Sequence, residues 1–175
     1  MAKITISGYA GTGKSTVGKM LAEKLNYEFL SVGNFARKFA EEKYGMSINE
    51  FQAKCKEEPA LDDFVNFKFR DICNSKDNFV ADFRLGFHFV EKSFNILFEL
   101  SEAEAFERLS KANRKMEQLD FESVKKRNED MKHRFIETFG VDFADGNNYD
   151  LVIDTGKKTP LEIVEQILTV VKEKV

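Results

Sequence analysis

Tryptophan is absent from this chain, and cysteine, histidine and proline occur only twice each. Cys55 and Cys73 form no C-x-x-C pair and lie near no clustered histidine, so they argue against a zinc site. They read as ordinary buried or half-buried thiols suited to a reducing compartment. His88 and His133 stand alone in the sequence and read as structural or surface residues rather than metal ligands. No apolar run approaches the roughly eighteen residues needed to cross a bilayer. The chain runs straight into a strand-like segment with no basic leader or apolar signal core, and a soluble, cytoplasmic protein is expected. A dominant sign of charge is also missing. Lys and Arg number 27 against 30 Asp and Glu, a net charge of −3, and the mixture along the chain argues against a nucleic-acid or membrane partner. There is no internal repeat, low-complexity tract or linker. The 175 residues suffice for one domain with a full core, whereas two would be cramped. A single domain over 1–175, acting as a monomer, is expected.

Phenylalanine is plentiful, with 18 copies. They fall at apolar periodic positions, which predicts aromatic core packing. Ile4 and Ile6 mark a first strand within 1–7, and Val17, Met20, Leu21 and Leu25 recur at helical spacing over 14–25. Residues 27–31 read as a second strand. Residues 33–43 read as a helix with Phe35, Phe39 and Ala40 on one face, ended by Gly45. Ser47 and Glu50 form a capping box opening another helix, and Pro59 restarts the chain into a helix over 61–73. Residues 78–82 and 94–100 are short apolar runs suited to buried parallel strands. From 102 to 139 the chain is charged and helical, with a break near 117–120. Residues 149–154 give a last strand, and Thr159-Pro160 opens a terminal helix. Strands alternating with helices predict an α/β fold whose parallel sheet is covered on both faces.

Between the first strand and the first helix lie Gly8, Tyr9, Ala10, Gly11, Thr12, Gly13, Lys14, Ser15 and Thr16. The first eight satisfy the phosphate-loop pattern G-x-x-x-x-G-K-[ST]. Glycines let successive backbone N–H groups turn inward around a polyphosphate, and the helix behind offers its positive end. Lys14 supplies a mobile cation and Ser15 a magnesium ligand. The pattern predicts binding of a nucleoside triphosphate. Ligands of such sheets gather beyond the strand C-termini, where the loop, the 31–37 turn, Asp82 and the 154–158 turn converge.

A phosphate loop fixes only the donor, so the reaction must be read from arginines around the same cleft. Arg37 follows the second strand and Arg84 follows Asp82; their forks match phosphate oxygens and suit a second phosphate-bearing molecule. Arg127 and Arg134 are seven apart and share one helix face, able to point together into a cleft. Arg108 and Arg114 lie in the same charged segment, which otherwise reads as a solvated helical face. The guanine-reading N-K-x-D string is absent, which argues against a GTPase.

These segments resemble a known family. The loop, Ser31 to Arg37, Asn78 to Gly86, Arg127-Asn128-Glu129 with Arg134-Phe135, and Phe139 to Asp142 leading to Tyr149 to Thr155 are similar to the compact, archaeal-type cytidylate kinases, almost end to end. The resemblance implies a P-loop nucleoside monophosphate kinase with a three-layer α/β/α fold. It implies a five-stranded parallel sheet, a helical monophosphate-binding region about 34–75 and a helical lid about 108–134. It also implies that Arg37 and Arg84, with Asn34 beside them, bind the acceptor nucleotide. Arg127 and Arg134 would approach the transferring phosphates, and the turn after Asp154 would lie near the adenine of ATP. The chain departs from the family at Asn34, where Asp is usual, and at Asp82-Phe83, where Glu-Gly is usual. Phe83 is expected to narrow or reshape the acceptor pocket. Ala112 and Asn113 stand where Arg-Glu is usual.

The expected reaction is transfer of the γ-phosphoryl group of ATP, with Mg2+, to CMP or dCMP, giving ADP and CDP or dCDP. Lys14 and the loop amides would neutralise phosphate oxygens, Ser15 would ligate magnesium, and Asp82 would orient its waters. Alternatives are another small-molecule kinase of adenylate or shikimate type, and a non-kinase ATP-binding assembly factor. Residues open as readers of the base are Asn34, Asp62, Asp63, Asn66 and Arg70.

Overall fold

The computed structural model describes residues 2–112 and 120–174, the last three of these by backbone alone. The expectations for Asn113, Arg114 and the helix break over 117–119 lie outside the described residues. Five strands form the sheet: β1 (Lys3–Ser7), β2 (Glu28–Ser31), β3 (Phe79–Asp82), β4 (Ser93–Glu99) and β5 (Leu151–Asp154). Every pairing is parallel, in the order β2-β3-β1-β4-β5. The helices are α1 (Lys14–Leu25), α2 (Val32–Tyr44), α3 (Ile48–Glu57), α4 (Pro59–Asn74), α5 (Gly86–Phe89), α6 (Glu102–Ala112), α7 (Phe121–Phe139) and α8 (Pro160–Lys174).

Alternation along the strands sorts side chains into two cores. Ile4 and Ile6 of β1, Val80 of β3 and Ile96 and Phe98 of β4 face α1 and α8, where Val17, Leu21, Ile163, Val164 and Ile167 close a first cluster. Phe79 and Ala81 face the opposite side and join Phe69 of α4, Leu85, Phe135 of α7 and Phe143 in a second. The result is a three-layer α/β/α fold, as expected for a sheet whose strands are buried on both faces. Each fully buried aliphatic or aromatic side chain contributes about 1.5–3 kcal/mol by leaving water. A third, smaller cluster of Ala40, Phe51 and Val65 ties α2, α3 and α4 to one another, beside β2.

Local signals set most of the boundaries. Ser31 caps α2 by accepting from the Asn34 amide, and Gly45 ends that helix at φ +63°. Ser47 and Glu50 form the expected reciprocal box on α3, and Thr159 and Glu162 form a second one on α8. Two features were not anticipated. The short α5 forms where Gly86 crosses β1, and a β-carbon there would lie 2.6 Å from Thr5 Cβ. Tyr149 stays outside the last strand because a 3-10 turn over Gly146–Asn148 precedes it and its hydroxyl donates to the Phe143 carbonyl at 2.6 Å. Among the described residues no helix is long and apolar enough to cross a membrane.

Phe83 corrects one expectation. It is 1% exposed and points into the second core, edge-on to Phe69 at 5.0 Å and stacked with Phe89 at 6.1 Å. It fills protein interior, so it neither narrows nor reshapes a ligand pocket. Phe83→Ala should therefore act on stability, lowering it by about 3–5 kcal/mol. Urea unfolding checks this; a loss below about 1 kcal/mol would show that the ring is not part of the core.

Candidate functional site

The parallel register brings the strand ends level. Asp82 pairs with Ile6 on one side and with Ser31 on the other, so the carboxylate lies beside the point where β1 runs into the loop. Beyond Ser7 the chain turns through Gly8–Gly13 into α1. Gly8 at φ +140° lies so close to β4 that a β-carbon would sit 2.5 Å from the Phe98 carbonyl oxygen, and one on Gly11, at φ +84°, would sit 2.6 Å from that of Ala105. Both positions thus require glycine for space as well as conformation. Helix α1 starts at Lys14 without a side-chain cap and without an acid in its first turn. Its first N–H groups are left for an anion.

Contacts from distant segments hold the loop in shape. Thr12 Oγ1 and Lys14 Nζ both donate to the Tyr9 carbonyl at 2.8 Å, and the Tyr9 ring packs edge-on against Phe143 at 4.9 Å. The Thr155 hydroxyl, fully buried after β5, donates to the Thr12 carbonyl at 3.0 Å and lies 3.2 Å from that of Glu99. Arg108 of α6 reaches the same turn, donating to the Thr155 and Gly156 carbonyls at 2.6 and 3.2 Å. Sequence reasoning left Arg108 among the solvated arginines, since nothing in a charged helix marks which member reaches a turn 47 residues away. A cleft of about 440 Å3 opens here, lined by Tyr9, Leu100, Ser101, Glu104, Ala144 and Asp154 among others.

Three charged groups crowd the other side of the loop. Ser15 Oγ donates to Asp82 Oδ2 at 2.5 Å. A hydroxyl and a carboxylate set side by side are hard oxygen donors of the kind magnesium takes. Among the described residues no group of three His, Cys, Asp or Glu gathers as a metal site, so the remaining oxygens would have to come from phosphates and water. Arg84 is partly buried and its Nε donates to the Gly8 carbonyl at 3.2 Å. Burial pulls its pKa down, Asp82 opposes the shift, and the charge of Arg127 adds to it. Lys14 is only 8% exposed. Burial, helped by Arg84 and opposed by Asp82, lowers its pKa to about 8.

The remaining candidates separate into two groups. Asn34 and Arg37 are adjacent on exposed turns of α2, with Arg37 Nη1 donating to Asn34 Oδ1 at 3.0 Å; Arg37 also lines a second cavity of about 410 Å3 with Glu41, Met46 and Ser47. Arg127 and Arg134 share α7 but not their surroundings. Arg127 is exposed, and its charge is felt at Arg84. Arg134 is clasped by α4, with Nη1 on Asp63 Oδ1 at 2.9 Å and Nη2 on Asp62 Oδ2. Of the other residues open as base readers, Arg70 pairs with its neighbour Asp71 at 2.8 Å, and buried Asn66 donates to Asp62. The thiols of Cys55 and Cys73 are pushed up by burial to about 11 and about 12, which leaves both unreactive near neutral pH.

A polyphosphate held against Lys14 would bind with a pH dependence of definite direction. The free site gives up the Lys14 proton near pH 8, whereas a bound polyphosphate favours the ammonium and raises that value. Affinity is therefore fully present below pH 8 and falls as pH rises through 8 toward the bound-state pKa. Calorimetry of ATP binding at pH 8.5 in buffers of differing ionisation enthalpy should show proton uptake, and Lys14→Met should abolish it. No uptake would remove Lys14 from contact with the phosphates.

The family model described as an AAA domain matches residues 4–132. The chain is 51% identical over 166 residues to an S-adenosylmethionine-dependent nucleotide dehydratase of Lacinutrix mariniflava; that match covers 95% of this chain but spans only 35% of the relative's length. It is 31% identical over 169 residues to a cytidylate kinase of Methanobrevibacter smithii, covering 97% of this chain and 98% of that protein. In fold it is similar to a shikimate kinase from Acinetobacter baumannii solved with shikimate, with a TM-score of 0.68 at 17% identity over 99% of this chain and 94% of that one. Model, sheet order and phosphate loop agree: the chain belongs to the AAA-domain family, as a P-loop kinase-like domain.

Proposed function

We propose that this domain transfers the γ-phosphoryl group of MgATP to the 5′-phosphate of CMP or dCMP, giving ADP and CDP or dCDP. The observation that carries the reading is Arg84, whose guanidinium lies on the carbonyl of the first loop glycine and beside Asp82. A second anion held there would meet the end of a triphosphate cradled by the loop. Identity with cytidylate kinases over nearly the full length of both chains supports CMP as that second anion's source.

An acceptor phosphate oxygen attacks the γ phosphorus, the bond to the β–γ bridging oxygen breaks, and ADP leaves with that electron pair. Since a phosphate monoester's second pKa is near 6, the attacking oxygen is already anionic at neutral pH and no catalytic base is required. The obstacle is repulsion between two polyanions. Lys14 and the loop amides offset it on the donor, Arg37 and Arg84 on the acceptor, and Arg127 reaches in from the charged helices. Magnesium, carried by Ser15 with Asp82 behind it, would neutralise phosphate charge. In this scheme residues 34–75 form the monophosphate-binding region and residues 108–134 a closing lid that keeps water from serving as acceptor.

The identity with a nucleotide dehydratase, higher than that with the cytidylate kinases, favours a second role for the same chemistry. A kinase domain working beside such an enzyme would furnish it with phosphorylated nucleotide.

Incubation with MgATP should release ADP slowly alone and far faster with CMP. Arg127→Ala, a change at an exposed position, should lower kcat by about 10³-fold while ATP affinity stays within a few fold. ADP release unaffected by any nucleoside monophosphate would overturn the kinase reading.

A further inference from the structure

Strand β3 leaves the sheet one residue before β1 does. Its last paired residue, Asp82, lies opposite Ile6, whereas Ser7 still pairs with Leu97 of β4 and has no partner on the β3 side. The pleat turns Ser7, like Thr5, to the face opposite Ile4 and Ile6. There its fully buried hydroxyl donates to the Arg84 carbonyl at 2.9 Å and lies 3.3 Å from that of Phe83. The Phe83 N–H makes the last backbone bond to β1, on the Ile6 carbonyl at 3.2 Å. The chain then turns, with Phe83 and Leu85 buried and Arg84 between them. From that turn Arg84 Nε comes back to the Gly8 carbonyl at 3.2 Å. The two segments are thus tied twice, β1 to the turn through Ser7 and the turn to the loop through Arg84.

Among the described residues the two Nη groups of Arg84 take no hydrogen bond and no ion pair. A guanidinium is a rigid planar fork, so holding Nε and the backbone that carries it sets where both Nη groups point. The Gly8 carbonyl holds the first and the Ser7 hydroxyl the second. We propose that Ser7 is a positioning residue, whose hydroxyl fixes the Arg84 carbonyl and thereby aims the free edge of the guanidinium at a phosphate lying against the loop. Its bearing on phosphoryl transfer rests on the reading of Arg84 as the group that grips the acceptor.

Removing that hydroxyl leaves the strand in place, since the pairing of Ser7 with Leu97 is made by the backbone. It takes a proton from the Arg84 carbonyl, which is driven to turn toward water, and the guanidinium swings with the peptide that carries it. The loop keeps its own supports, Thr155 on the Thr12 carbonyl and Phe143 on the Tyr9 ring. The loss therefore falls on the acceptor and not on ATP. A hydroxyl that served only the packing of the strand would weaken both alike.

The test joins NMR with steady-state kinetics on wild type, Ser7→Ala, Arg84→Ala and the double variant. The Arg84 Nε–H resonance, assigned by its loss in Arg84→Ala, should exchange slowly with water in wild type and at least about tenfold faster in Ser7→Ala. With MgATP and CMP, Ser7→Ala should lower kcat/KM for CMP about tenfold or more while Kd for ATP stays within about twofold. In the Arg84→Ala background the same change should cost less than about twofold, because the group being aimed is gone. Should Ser7→Ala fail to fold, Ser7→Cys, close in size and a weaker donor, takes its place. An Nε–H already in fast exchange in wild type or indifferent to Ser7, a loss of ATP affinity as large as the loss toward CMP, or costs that multiply in the double variant would each overturn the inference. The NMR arm needs no turnover, so the two readings fail separately. An Nε–H freed by Ser7→Ala in a protein that does not phosphorylate CMP would refute the kinase proposal and leave the positioning intact, whereas CMP phosphorylation with an Nε–H indifferent to Ser7 would do the reverse.

Discussion

Asp82 stands level with Ile6 and with Ser31 because three parallel strands share one register, and the arrangement of the cleft depends on that alignment. A shift of one residue would turn the carboxylate toward the opposite face and exchange the inward sets of the strand. With the register as it is, β1 delivers its loop directly beside the carboxylate, Ser15 meets Asp82, and the residue two places further on reaches back to the loop's first glycine. The register is in turn secured by burial on both faces: Ile4 and Ile6 are wholly buried on one side, and Thr5 and Ser7 on the other, where their hydroxyls are satisfied by Asn95 and by the carbonyls of Phe83 and Arg84.

The parts of this architecture that were legible in the sequence are those written in local chemistry. Short apolar runs, the glycine pattern, the Ser47 box and the prolines at helix starts each act over a few residues, and they placed the strands, the loop and most helix boundaries. What escaped was information carried between segments. Phe83 stands where the related family usually has glycine, but which side of β3's extension it faces is set by the strand's pleat and by Phe69 arriving from α4. Arg127 and Arg134 look equivalent in a helical projection, yet a pair of aspartates on another helix takes only the second. Arg108 resembles its charged neighbours until the 155–156 turn is brought against it.

Links between the loop and its surroundings make donor and acceptor regions mechanically dependent. The loop has few contacts of its own: its helix is uncapped, and two of its glycines are wedged against the backbone of β4 and α6. Its shape is held by Thr155 from the turn after β5, Phe143 from the segment after α7 and, through the same turn, Arg108 from α6. Displacement of the charged helices would therefore be felt at the loop through the Arg108 contact and through Tyr9, with no separate relay.

The charge distribution separates the cations by task. Lys14 and Arg84 donate to carbonyl oxygens; burial lowers the pKa of both, and the charge of Arg84 adds to the shift at Lys14. Two cations kept close in a low-dielectric setting repel, and among the described residues Asp82 offsets them both. That energy is returned when a polyanion enters, so the free site is destabilised in the way that favours ligand over water. Arg134 has no such deficit, because its charge is met by Asp62 and Asp63 before any ligand arrives. A phosphate gains little there beyond what the carboxylates already supply. The cations thus differ before any ligand arrives: Lys14 and Arg84 are short of negative charge, whereas Arg134 is already balanced by two carboxylates.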